Sequence, residues 1–247
     1  MRQLRVTFLG TGDAFSAGGR HLAAYLLEHP DGALLLDCGP TLLASLNRNG
    51  LLAESVDAVL ISHFHGDHFA GLPFLFLHYM YIEPRSRSLK IIGPPGVEER
   101  VLLIFRAMYK DTAEEPLPFA IDFVEMKPQE QHRVNGVRIG AFYAPHQEDP
   151  PSLGFDISVG DRRIVYSGDC GWTEDLLSHT QGADLFICEC SFFETRYEMH
   201  LDFPRIAENA CRFGAKRLVL THLGAEVLRR QGEVALELAQ DGQVIDL

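Results

Sequence analysis

The sequence predicts a mixed α/β fold, a four-layer αββα sandwich, and three observations predict it. Short aliphatic and β-branched runs bounded by Gly, Pro, Asn and Asp recur along the 247 residues, as expected of buried strands between turns. These runs fall into two β-rich halves, each with stretches of helical apolar spacing that would cover the outer faces of two stacked sheets. The residues able to carry chemistry cluster at the ends of the runs, which places a site at the strand ends. Length and a composition of 46% hydrophobic and 23% charged residues fit one globular domain over residues 1–247 with a substantial core.

In the first half, Leu4 to Leu9 reads as a strand, followed by Gly10-Thr-Gly-Asp-Ala-Phe-Ser-Ala-Gly-Gly-Arg20. The dinucleotide-type glycine spacing fails there and a strand follows, so the stretch reads as a tight loop that can also line the rim of a site. Leu22 to Glu28 and Ala33 to Cys38 form a hairpin about His-Pro-Asp-Gly. Pro40 to Asn49 reads as a helix opened by proline and closed by Gly50. Asp57 to Ile61 is a short buried strand. Phe69 to Ile82 reads as an aromatic helix, with about half of its rings in the core and the rest lining the cleft or a dimer face. Leu89 to Ile92 is a strand. Val97 to Tyr109 is an amphipathic helix with Val101, Leu102, Phe105 and Met108 on one stripe, and residues 110–118 form an acidic loop.

In the second half, Phe119 to Met126, Arg133 to Tyr143, Gly154 to Gly160 and Arg162 to Tyr166 read as strands, with turns at Asn135-Gly and Gly160-Asp. Leu185 to Cys190 and Arg217 to Leu220 follow, separated by a helix over Phe203 to Phe213. The tail from Val234 to Asp246 reads as a hairpin about Asp241-Gly242.

The stretch that organises the chain is Ser62-His63-Phe-His65-Gly-Asp67-His68. Alternation at a strand end sends His63 and His65 the same way. Gly66 permits a sharp turn into a helix, which swings Asp67 and His68 toward a second point. A fold gains nothing structural from imidazoles held so close, so this is a metal site. Imidazole and carboxylate suit zinc, manganese or iron, and the lack of an obligatory thiolate argues against a closed structural zinc. Three further candidates follow strands: His146, Asp169 and His222.

The excess of 34 acidic over 22 basic residues, net −12, disfavours nonspecific binding to polyanions. The five cysteines (38, 170, 188, 190 and 211) read as reduced core residues, Cys188 and Cys190 being two apart in one strand. The start enters a strand with no signal-peptide core, and no apolar run is long enough to span a bilayer. The expected location is cytoplasmic.

His63-Phe-His65-Gly-Asp67-His68 resembles the metal-binding motif of the metallo-β-lactamase superfamily. The resemblance implies that His63, His65 and His146 bind one divalent ion, that Asp67, His68 and His222 bind another, and that Asp169 bridges them. Zinc is the first expectation for both ions, with manganese or iron compatible. It further implies that Asp37, in Leu-Leu-Leu-Asp-Cys-Gly, supports the metal loop through a hydrogen bond, and that Asp67 orients or deprotonates the water held between the ions. Cys170 could replace a carboxylate at zinc, but Ser-Gly-Asp169 fits the bridging position.

Within the superfamily, Glu198-Met-His200-Leu-Asp202, then a helix, then a strand ending Thr-His222, is similar to the RNase Z and cyclic-phosphodiesterase branch. Phe-Leu-Gly-Thr-Gly near the start, Gly71-Leu-Pro-Phe and Asp241-Gly extend the likeness nearly end to end. The resemblance implies that His200 contacts a phosphoryl oxygen or protonates the leaving group, and that Glu189 orients it. The basic arm with which RNase Z grips tRNA has no counterpart in the compact, acidic stretch 93–145. The expected activity is therefore hydrolysis of a cyclic or small nucleotide-type phosphodiester by a metal-held hydroxide. A tRNA 3′-processing endoribonuclease, and a lactonase, thioesterase or β-lactamase in which His200 is idle, are the alternatives. A homodimer is expected.

Overall fold

The computed structural model of the protein describes residues 4–247; Met1–Gln3, part of the start read above, lie outside them. The first half runs β1 (Arg5–Gly10), β2 (Ala24–His29), β3 (Gly32–Leu36), α1 (Leu42–Arg48), β4 (Ala58–Leu60), α2 (Gly66–Phe69), α3 (Leu72–Tyr81), β5 (Leu89–Gly93), α4 (Val97–Met108), α5 (Lys110–Ala113) and β6 (Ile121–Glu125). The second runs β7 (Gln131–Val134), β8 (Val137–Glu148), β9 (Pro151–Val159), β10 (Arg162–Tyr166), α6 (Asp175–Thr180), β11 (Leu185–Glu189), α7 (Phe203–Asn209), β12 (Leu218–Thr221), α8 (Ala225–Arg229) and β13 (Glu237–Leu238), and β14 (Val244–Asp246) closes the chain.

Two seven-stranded sheets result, ordered β14-β1-β2-β3-β4-β5-β6 and β13-β12-β11-β10-β9-β8-β7. Each is antiparallel at one side and parallel at the other: β3 to β6 and β10 to β13 are parallel neighbours. Helices make most of the parallel crossovers and cover the outer faces, as parallel strands require. Strand alternation divides the apolar residues accordingly. Val6, Phe8, Leu34 and Leu36 meet Ile139, Phe155, Ile164 and Ile187 between the sheets, while Leu35, Val59 and Ile91 face α1, α3 and α4 outside. Val165, Phe186 and Leu220 face α6, α7 and α8 on the other side. The predicted αββα layering is present.

Several local readings need correction. The tail is not a hairpin: β13 pairs with β12 and β14 with β1, so residues 239–243 cross from one sheet to the other. The Asp241-Gly turn is there, but the Asp241 carboxylate accepts from Thr11 N, Thr11 Oγ1 and His21 N, which commits it to the first sheet. The aromatic helix is two helices, because Gly71 lies against the Gly39 and Cys38 carbonyls, where a Cβ would come within 2.4 Å. In α4 the buried stripe is Val97, Val101 and Phe105; Leu102 is half-buried and Met108 exposed, a spacing of four that fits the 3.6-residue turn. The predicted loop 110–118 begins with α5, and the predicted helix 203–213 ends in a 3₁₀ turn after Asn209. That turn leaves Cys211 exposed, against expectation, while the other four cysteines are buried. Helices α6 and α8 fall in stretches given no element in the sequence reading. Among the described residues no helix is long and apolar enough to cross a membrane.

Candidate metal centre

The chemistry-bearing residues gather where the parallel strands of both sheets end, the crevice at which open α/β sheets place ligands. From the first sheet, β3 delivers Asp37 and β4 delivers the His63–His68 loop. From the second, β10, β11 and β12 deliver Asp169, Glu189 and His222. Register sets their depth: Tyr166 pairs with Ile187 and Glu189 with Thr221, so residues just beyond those pairs emerge at one level. His146 lies within β8, not after its strand as predicted, in the stretch where the β8–β9 register shifts. Asp37 and His222 are both left-handed, with φ of 56° and 53°. Such backbone in a residue other than glycine is held against its preference by its surroundings, a feature concentrated at functional sites.

Two groups of donor atoms converge, His63, His65, His146 and Asp169 in one and Asp67, His68, Asp169 and His222 in the other, and each group could hold a metal ion. In the second group, His68 Nε2 is 3.2 Å from Asp67 Oδ2, 3.3 Å from Asp169 Oδ1 and 3.4 Å from His222 Nε2. His222 Nε2 is 3.2 Å from Asp67 Oδ2 and 3.4 Å from Asp169 Oδ1. Donors about 2.0–2.1 Å from a tetrahedral ion stand about 3.3 Å apart, so this spacing fits a common ion. In the first group, His146 Nε2 is 3.1 Å from His65 Nδ1, and Asp169 Oδ2 is 3.8 Å from His63 Nε2 and 4.0 Å from His146 Nε2. Asp169 thus turns one oxygen to each group. His63 Nε2 and Asp169 Oδ1, buried and aimed into the cluster, have no hydrogen-bond partner. Orphaned buried polar atoms are costly unless a ligand takes them, and these are donor atoms of the two groups.

The opposite nitrogen of four of the five imidazoles faces an oxygen acceptor, which selects the tautomer presented to the centre. His68 Nδ1 lies 2.7 Å from Asp37 Oδ2, and Asp37 also accepts from Ser62 N, Ser62 Oγ and the Tyr166 hydroxyl. His63 Nδ1 meets Ser62 Oγ, His146 Nδ1 the Met199 carbonyl, and His222 Nδ1 Ser191 Oγ. His65 points Nε2 at the Gln147 amide, 2.9 Å away. Ser62, Ser191, Gln147 and Tyr166 escaped the sequence reading. Ser62 and Tyr166 are marked only by contact with Asp37, Ser191 by contact with Glu189 and Gln147 by contact with His65, all invisible before folding.

Charge balance points the same way. Burial pushes the imidazoles of His68 and His222 down, but Asp169 and Asp67 more than offset it and hold both above the ordinary histidine value. Asp67 and Asp169, which burial would raise, are held well below the ordinary carboxylate value, Asp67 chiefly by His68 and Asp169 chiefly by His222 and His68. In the other group burial, aided by neighbouring imidazoles, keeps His63 and His146 neutral, the form that ligates. A divalent cation seated among these carboxylates would replace the protons on His68 and His222.

His200 sits beside both groups. Its ring lies 4.7 Å from that of His146 and stacks at 12° over His222, 5.9 Å away. Nδ1 is 2.8 Å from Glu189 Oε1. Glu189 is buried and fully engaged, accepting also from Cys170 N, Ser191 N and Ser191 Oγ. Burial lowers the His200 pKa, but the Glu189 carboxylate outweighs it and lifts it to about 9. The sequence-predicted pair is therefore brought together. Cys170, by contrast, donates to the Gly171 carbonyl, and burial pushes its thiol up, which leaves it a poor thiolate donor.

Fold and site define a metal-dependent hydrolase of the metallo-β-lactamase superfamily, on its RNase Z-like branch. The metallo-β-lactamase fold protein YhfI from Bacillus subtilis superposes with a TM-score of 0.79 at 24% identity, over 99% of this chain and 100% of that one. The short form of human tRNase Z superposes with a TM-score of 0.79 at 28% identity, covering 98% of each. A ribonuclease Z of Lachnoclostridium phytofermentans is 28% identical over 92% of this chain and 89% of its own length. A family model described as anti-Pycsar protein Apyc1 matches residues 4–245, and the chain belongs to that family.

Proposed function

We propose that the protein, folded as one domain, is a dinuclear phosphodiesterase acting on a cyclic or small nucleotide-type phosphodiester. The observation that carries this reading is the Glu189–His200 pair beside the two ligand groups. His63, His65 and His146 would hold one divalent ion and Asp67, His68 and His222 a second, with Asp169 between them. Such ions, zinc by this donor set, supply Lewis acidity to phosphoryl oxygens and bring the pKa of bound water toward neutrality. Asp67 also lines the cleft and can accept a hydrogen bond from the attacking water, fixing its direction. His200, with Nδ1 committed to Glu189, keeps Nε2–H for the substrate and is protonated at neutral pH. It donates to a phosphoryl oxygen and then gives its proton to the leaving alkoxide, the step a phosphodiester needs most because an alkoxide departs poorly. Ester or lactone hydrolysis has less use for such a cation.

The names of the relatives favour a second reading, endonucleolytic processing of a tRNA 3′ end. The net charge of −12 weighs against it, since tRNA binding draws on basic surface. So does the alignment with the Lachnoclostridium ribonuclease Z, whose 278 positions exceed this chain's own length: the relative carries insertions that this chain lacks. The test is hydrolysis of bis-p-nitrophenyl phosphate, 3′,5′-cyclic nucleotides and a tRNA precursor by the zinc- or manganese-loaded protein. Turnover of cyclic nucleotides supports the reading, cleavage of the precursor alone supports the second, and no turnover of any of the three by the metal-loaded protein contradicts both.

A further inference from the structure

We propose that Phe15, Phe192 and Arg229 form a nucleobase subsite at the mouth of the catalytic cleft. The proposal rests on the phosphodiester reading of the centre below it. The cleft measures about 420 Å³ and has His65, Asp67, Asp169, His200 and His222 at its floor, within the roughly 300–1,000 Å³ range of small-molecule sites. Phe15, Phe192 and Arg229 line the same cleft, so a phosphodiester seated on the floor projects its organic substituent among them.

Phe15 is 89% exposed, yet its loop is tied down closely. The Asp13 carboxylate accepts from Phe15 N and Ala17 N. Leu223 N donates to the Thr11 carbonyl at 2.9 Å, and the Arg20 guanidinium donates to Thr11 Oγ1 and the Ala239 carbonyl. Gly18, at φ 65°, rests on Leu228 of α8, where a Cβ would stand 2.9 Å from Cδ1. A single exposed aromatic is common on protein surfaces; one held out rigidly over a catalytic cleft is a preformed face for stacking.

The segment that carries Phe192 is fixed in the same way. Glu226 accepts from the backbone N–H groups of Phe193, Glu194 and Thr195 and from Thr195 Oγ1, which anchors the turn after Phe192. The Phe192 ring lies edge-on to His200 at 6.0 Å. At the mouth Glu226 is thus engaged through both oxygens and Asp13 through Oδ1. Arg229 makes no ion pair among the described residues, whereas its neighbour Arg230 pairs with Glu194 and Glu233. A planar guanidinium with free donors, lining the same cleft as two aromatic rings, matches a heteroaromatic base with carbonyl or ring-nitrogen acceptors on its edge. Stacking tolerates any base; the edge contact by Arg229 selects among them.

The test is calorimetric binding of nucleoside 5′-monophosphates and of ribose 5-phosphate to the zinc-loaded protein. Base–aromatic stacking predicts that Phe15→Ala weakens nucleotide binding roughly 5- to 150-fold, that Phe15→Trp restores it, and that ribose 5-phosphate binding moves with neither. Arg229→Gln should narrow the affinity differences among the four bases. Equal losses for nucleotide and sugar phosphate, or none for either, would overturn the subsite. Because the readout is binding, a protein that binds nucleotides through Phe15 but hydrolyses no phosphodiester would sink the phosphodiesterase reading and leave the subsite standing.

Discussion

The two halves of the molecule share a topology but contribute to the centre in different ways. The first half delivers His63, His65, Asp67 and His68 from one short loop after β4, so local backbone geometry sets their mutual positions. The second half delivers His146, Asp169, Glu189 and His222 from four strands, and His200 from the segment after β11, so their positions depend on sheet register. A contiguous loop can place donor atoms in both groups by itself. Only the assembled second sheet can close both groups and set a protonated imidazole beside them.

The sharpest way to break this division of labour is at the residue that joins the two groups. Asp169→Ala should lower turnover on the order of 10³-fold or more, since metal-centred stabilisation is worth several kcal/mol, and plasma emission spectroscopy should find less bound metal per chain. Full metal content with full turnover would show that Asp169 is not shared. Asp37→Asn tests the support of the first-half loop, although Asp37 also accepts from Tyr166 of β10. Loss of the anion behind His68 Nδ1 should weaken metal affinity about 10- to 100-fold, measured by competition with a chelating dye, with the Glu189–His200 contact intact.

Acidity separates the halves further. On the proposed reading His200 acts in its protonated form, and its pKa is lifted to about 9, so kcat should hold through neutral pH and fall as pH rises through that value. Cations on the neighbouring ligands would shift the fall lower. Glu189→Gln, by removing the carboxylate that raises the pKa, should move it lower still; a basic limb unchanged in that variant would exclude His200 as its source. In the metal-free protein His68 and His222 carry raised pKa values. Their protons stabilise the fold below the ordinary histidine pKa of about 6.5, and that contribution fades as pH rises through the folded values. Metal binding should therefore release protons and strengthen with pH, as titration calorimetry in buffers of differing ionisation enthalpy would register.

The smallest expected effect is structural. Asp202 caps α7 by accepting from Arg205 N at 3.0 Å, immediately after the segment that carries His200. Asp202→Ala should lower stability by about 0.5–2 kcal/mol, read from the thermal midpoint, with turnover falling far less than in His200→Ala.

How much of this could be read from the sequence follows from the same division. The His63–His68 cluster declares itself because its spacing has no cheaper explanation, and alternation of apolar residues located most strands to within a few positions. His146, Asp169 and His222 look like ordinary strand-end residues. They became candidates only in the order of a resembled motif, and nothing in their spacing says that Asp169 reaches both groups. The tail misled because a turn signal at Asp241-Gly fixes a reversal, not the sheet to which each arm returns. The short helices α6 and α8 lack enough turns for a periodic signal, and with α8 went Arg229. Phe15 lay in a loop flagged as a possible rim, but solvent exposure over a cleft is a property of the fold.

The proposed chemistry requires the second half to supply an acid for a poor leaving group. The direct measurement compares wild type and His200→Ala, at matched metal content, on a 3′,5′-cyclic nucleotide and on bis-p-nitrophenyl phosphate. General-acid catalysis predicts a loss of about 10²- to 10⁴-fold on the cyclic nucleotide, whose alkoxide must be protonated, and a much smaller loss on the p-nitrophenyl ester, whose leaving group departs unaided. Equal losses on the two substrates, or none on the cyclic nucleotide, would contradict it.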